Sequence, residues 1–154
     1  MKALALALAL IAVPYSASAA DPFVGKYKLN PAKSATSGGQ MPPELTLTIS
    51  EDGGNLLITT SGKTATGSPI SADVLILPKT GGTVKAPEGE RNYDSTSVSR
   101  RDANTIEMLA TQKGKERTRV KLSLSQDGKT LTRSFTSMNA QGRPVTGTSV
   151  LERE

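Results

Sequence analysis

Arg133 is the side chain in this sequence whose type and position speak most directly to chemistry. It stands two residues from Leu131 and two from Phe135. In an extended strand that spacing puts all three on one face, and the apolar neighbours make it the inward face. A guanidinium pointing inward needs a counter-charge or a polar cavity, and its planar fork matches a carboxylate through two parallel hydrogen bonds. The functional reading is an anchor for an anionic head group, with Phe135, Tyr93 and Met108 as candidates for the pocket wall. With Phe23 they are most of the large side chains available, and core packing is the default use of so few. Two other readings stay open. A bulge would reverse the register, and a place at the mouth of a barrel would let the long side chain reach water.

Other chemistries are excluded by composition. The 154 residues contain no His, Cys or Trp. Without His there is no Ser-His-Asp triad and no imidazole metal site; without Cys there is no thiol nucleophile, zinc knuckle or disulfide. The acidic residues fall mostly in turns (Asp52, Glu88, Glu90, Asp102, Asp127), and no pair is spaced for acid–base work. Asp94 and Glu107 are expected within strands, facing outward. The isolated Asp-Gly pairs lack the run of oxygen ligands that a calcium loop needs. The expectation is a protein that is not an enzyme, with no metal and no cofactor. The basic stretch Lys113, Lys115, Arg117, Arg119 and Lys121, with Arg100 and Arg101 nearby, has no stacking aromatics beside it, which argues against nucleic acid. It reads as a solvated outer face, with an anionic surface such as lipid head groups as the alternative.

Residues 1–20 have the pattern of an export signal: Lys2, an unbroken apolar run from Ala3 to Val13, Pro14, then Ala17-Ser18-Ala19 followed by Ala20-Asp21. The run is shorter than the ~20 residues of a membrane span. Cleavage after Ala19 or Ala20 would leave one domain, residues 21–154, exported to a periplasm or the medium. The whole chain is 36% hydrophobic and 3% aromatic with a net charge of +5, and much of its apolar content sits in the leader. The mature domain is therefore thin-cored but ordered.

That domain reads as all-β. Glycine-bearing turns recur at residues 51–54, 79–82, 112–115, 126–129 and 140–143, separating short alternating runs. The expected strands are Phe23–Leu29, Leu45–Ser50, Leu56–Ser61, Ile70–Leu77, Gly82–Ala86, Tyr93–Arg101, Thr105–Thr111, Glu116–Ser125, Thr130–Met138 and Val145–Glu152. Leu45, Leu47 and Ile49 share one face, as do Ile106, Met108 and Ala110, and Val120, Leu122 and Leu124. Asn30–Pro43 is expected to be a loop that covers one end of the fold, and Pro87–Asn92 a polar loop. A single up-and-down antiparallel meander of about 8–10 strands follows, closing as a barrel in preference to stacking as a sandwich.

Phe23-Val24-Gly25-Lys26-Tyr27-Lys28-Leu29 resembles the opening strand, Phe-x-Gly-x-Trp-x-Leu, of lipocalins and fatty-acid-binding proteins, the calycin group. Gly114 to Thr118, Asp127 to Thr132 and the closing Leu151 to Glu154 are also similar. With the turn Asn139 to Gly142, the chain most resembles small exported bacterial lipocalin-like proteins of unknown function. The resemblance implies a calycin-like barrel in which Phe23, Gly25 and Tyr27 close one end by packing. It does not carry over a fatty-acid site. Tyr27 stands where the family usually has Trp, Ser149 and Leu151 occupy the positions of an Arg-x-Tyr pair, and the Asn30–Pro43 loop replaces a two-helix lid. Three functions remain in view: an exported binding protein for a small apolar or amphipathic ligand, anionic if Arg133 is its anchor; an envelope module with a filled barrel; and an enzyme working through Tyr, Asp or Arg.

Overall fold

The computed structural model describes residues 19–70, 74–86, 88–90, 92–139 and 141–154. Residues 1–18 of the expected leader lie outside that set. Strands β1 (Gly25–Leu29), β2 (Ala35–Thr36), β3 (Glu44–Asp52), β4 (Asn55–Lys63) and β5 (Val74–Pro78) come first. They are followed by β6 (Gly82–Lys85), β7 (Ser95–Asp102), β8 (Thr105–Gln112), β9 (Lys115–Leu124), β10 (Thr130–Met138) and β11 (Pro144–Arg153). All pairings are antiparallel and join the strands into one sheet in the order β5-β4-β3-β1-β11-β10-β9-β8-β7-β6, with the short β2 attached to β11. Because β1 pairs with both β3 and β11, the sheet closes on itself through its first and last strands. The two ends of the path, β5 and β6, are consecutive in sequence, joined by a turn in which Gly81 N donates to Pro78 O at 3.0 Å. No ladder joins them among the described residues. The result is an up-and-down barrel closed everywhere but there.

The alternation that marks the strands also fills the barrel. Leu47 and Ile49 of β3, Leu56 and Ile58 of β4, Ile106 and Met108 of β8, and Val120, Leu122 and Leu124 of β9 are all buried, while the residues between them are half-buried or exposed. The closed end is sealed by Phe23 and Tyr27, both fully buried. Across it lies Arg153, which stacks 4.8 Å from the Tyr27 ring centroid and donates to Tyr27 Oη, Val24 O, Pro22 O and Gly128 O at 2.5–2.8 Å. A Cβ on Gly25 would sit 2.7 Å from Arg153 Nη1, so this residue must be glycine for the arginine to lie flat. Burial raises the Tyr27 pKa, and the neighbouring Arg153 offsets part of the rise.

Several boundaries differ from expectation. Phe23 and Val24 precede β1, because the Asp21 carboxylate and carbonyl capture their backbone N–H groups in a turn. Tyr93 and Asp94 precede β7, so neither is a strand residue; the Asp94 carboxylate accepts from Lys113 N at 2.6 Å, tying two loops together. The strand expected from Ile70 starts at Val74, with residues 71–73 outside the described set. Asn30–Pro43 is not wholly loop: Pro31–Lys33 forms a 3₁₀ turn and Ala35–Thr36 adds β2 to the edge that β1 leaves free on β11. Met41 in this segment packs against the core.

Candidate functional site

The site is assembled around Arg133. On β10 it pairs with Leu122 of β9 and Ser149 of β11, within ladders that run in step past it on both sides. No bulge therefore turns the strand, and Arg133 shares the inner face with the fully buried Leu131. Its guanidinium lies 5.2 Å from the Phe135 ring centroid, a cation–π arrangement. Among the described residues it has no ion pair and no hydrogen bond, although no buried side-chain nitrogen or oxygen there is left without a partner. Both statements hold together because the guanidinium faces open space. Burial lowers the Arg133 pKa from its ordinary value, the expected sign for a cation withdrawn from water.

That open space is a chamber of about 220 Å³. Met108 and Ala110 of β8 and Thr118 and Val120 of β9 form its floor, with Thr96 of β7, Leu75 of β5, Tyr93 and Arg133 around it. Three of these, Leu75, Tyr93 and Thr96, also line a larger cleft of about 650 Å³. Its other walls are Val74 and Ile76 of β5, Val84 and Lys85 of β6, and the loop residues Glu88 to Glu90. This cleft lies along the unpaired edges of β5 and β6. Val74 and Ile76 are 50% and 46% exposed beside it, an unusual amount of bare aliphatic surface for so thin-cored a chain.

Three of the four expected pocket residues, Arg133, Tyr93 and Met108, thus meet around one chamber. Phe135 does not line it. Its ring is half-buried against the core, above Gly147 of β11, where a Cβ would lie 2.5 Å from the ring. Phe135 supports the guanidinium and borders a separate, hydroxyl-rich depression between β2 and β10. Sequence reasoning missed Leu75, Thr96 and Thr118, whose small or unremarkable side chains acquire meaning only once β5, β7 and β9 are placed around β8.

Three of the seven basic residues of that stretch, Arg100, Arg101 and Arg119, are ion-paired. Arg119 pairs with Glu116 at 2.9 Å and Arg101 with Glu107 at 2.8 Å on the outer face, where Lys121 is exposed. Arg100 leaves that stretch altogether: it turns to the closed end, stacks over Phe23 at 5.3 Å and pairs with Asp21. Among the described residues no group of three or more acidic side chains could hold a metal ion, and no helix is long and apolar enough to cross a membrane.

No family model matches the chain, and no curated protein matches it. Among solved structures, the zebrafish ileal bile acid-binding protein complexed with cholic acid is similar over 86% of this chain and 99% of that one, with a TM-score of 0.51 at 13% identity. The chain has the calycin-type barrel fold. At that identity the likeness is one of fold, and the neighbour is a binding protein whose cargo, a bile acid, is its own.

Proposed function

We propose that this protein is a non-catalytic, exported carrier of a small amphipathic molecule with an acidic end. The observation that carries the reading is Arg133: a cation without a counter-ion among the described residues, facing a chamber lined by Leu75, Met108, Ala110 and Val120 together with Tyr93, Thr96 and Thr118, three of whose residues also line the outer cleft. An unpaired charge in such surroundings is costly, and a carboxylate seated on the guanidinium would offset that cost through two charge-assisted hydrogen bonds. The chamber is small, so the apolar remainder of the ligand extends past Tyr93 and Thr96 into the cleft against Val74 and Ile76. The calycin-type fold supports the reading in general terms only, and residues 1–20 support export through their leader pattern.

The test is native mass spectrometry of purified protein for co-purifying lipids, followed by titration with a fatty acid and the matching alcohol. Wild type should prefer the acid. Arg133→Met should lose about 2–5 kcal/mol of acid binding, the range for truncating one partner of a buried charge pair, and spare the alcohol. Equal binding of acid and alcohol by both proteins would remove Arg133 from the site. No binding by either would favour a filled-barrel envelope module.

A further inference from the structure

Asp21 is held at the closed end by an unusual number of contacts. Its carbonyl accepts from Val24 N at 2.9 Å and its Oδ1 from Phe23 N at 3.1 Å. Both carboxylate oxygens are taken by the Arg100 guanidinium, and the side chain is only 8% exposed. Its backbone nitrogen lies 2.5 Å from Glu51 Oε1, on the strand β3 that neighbours β1. The other Glu51 oxygen is held by Lys79 at 3.0 Å. Ala19 and Ala20, by contrast, are exposed and make no hydrogen bond among the described residues.

We propose that Ala20–Asp21 is the processing site and that Glu51 is a receptor for the new α-ammonium. The inference rests on the export reading and selects between two cuts that the sequence leaves equal, since small residues stand one and three places before either bond. Hydrolysis by a signal peptidase adds water across the Ala20–Asp21 bond. The oxygen goes to the Ala20 carbonyl, the C–N bond breaks, and the nitrogen, once protonated, remains on Asp21. An amide that gave one hydrogen to Glu51 becomes an ammonium with a full charge and three hydrogens at the same place, converting a neutral donor into a charge-assisted one. A cut after Ala19 would leave its charge on an exposed residue with nothing to receive it. The groups around the amine are Glu51 from β3, whose second oxygen is held by Lys79, and the Asp21 carboxylate, paired with Arg100 from β7, so Glu51 would be shared between the new ammonium and Lys79.

The experiment exports the full chain with its leader and measures the intact mass. A mass corresponding to residues 21–154 is expected. A mass for 20–154 overturns the assignment of the site, and a mass for the uncleaved chain overturns it together with the export reading. Chains beginning at Asp21 and at Ala20, released from a fusion, are then compared by the rate at which the α-amine is acylated at pH 7. The Asp21 amine should react about 3–10-fold more slowly, consistent with a pKa raised above the ordinary 7.7–8.0, and Glu51→Gln should abolish the difference. Equal rates in the two chains would refute the receptor role of Glu51.

Discussion

Gly147 lacks a side chain because the Phe135 ring occupies the space where one would begin, and the same ring carries the Arg133 guanidinium on its face. The two strands are in register at this point, Phe135 opposite Gly147, so neither backbone can withdraw without breaking the ladder. Gly147→Ala should therefore destabilise the protein by about 1–3 kcal/mol, the usual cost of forcing a methyl group into filled space, read as a lower urea midpoint. Phe135→Leu in the same chain should recover most of that loss, because the clash is with the ring edge. An unchanged midpoint in the single variant would mean the ring swings aside freely and does not fix Arg133. A strand alternation rule finds Arg133 and Phe135 but cannot find this pairing, which depends on which strand lies beside β10. The same limit hid Arg153, whose place over Tyr27 follows only from the pairing of the last strand with the first.

At the scale of elements, the strands were legible because their apolar residues alternate over six or more positions; β10 spans the expected Thr130–Met138. Short elements without alternation were not. β2 is two residues long and exists because β1 stops at Leu29 and leaves the Gly147–Thr148 edge of β11 unpaired. Nor could the sequence reveal that β5 and β6, separated by a single turn, fail to pair. Among the described residues each has a ladder on one side only, β5 to β4 and β6 to β7, and both border the cleft. Amide hydrogen exchange should expose this directly. Edges with few buried contacts open at low free energy, so amides of Val74–Leu77 and Thr83–Lys85 should exchange at least about tenfold faster than those of Leu122, Leu131 or Leu151. A bound amphipath should slow β5 and β6 selectively. Uniform protection around the barrel would mean that the β5–β6 gap is closed in solution and the cleft is not an entrance.

For the whole molecule, the charge inventory sets the pH range over which the barrel is stable. Glu51, Glu116, Asp127, Glu152 and Glu154 all have pKa values lowered in the folded state. Hydrogen bonds to them are the leading cause in each case: from the Asp21 backbone to Glu51, and from Arg119, Ser125, Lys33 and Lys26 to the other four. A carboxylate with a depressed folded pKa contributes stability that is present above its unfolded value, near 3.9 for Asp and 4.3 for Glu, and is lost as pH falls through the folded one. Tyr27 has the opposite sign: its folded pKa is raised, chiefly by burial, so its contribution is present below the unfolded value near 10 and disappears as pH rises through the folded value. Between these limits the sequence has no His and no Cys to titrate, leaving only the α-amine, which on the processing proposed above would be that of Asp21. Thermal melts should therefore trace a plateau from about pH 5.5 to 7.5 and losses below about pH 4 and above about pH 10, with a small step near pH 8–9 if the proposed Asp21 amine loses its proton beside Glu51. Glu51→Gln should erase the step near pH 8–9 and leave the alkaline loss unchanged. A midpoint that drifts steadily between pH 5.5 and 7.5 would reveal a group titrating there that this charge inventory does not contain.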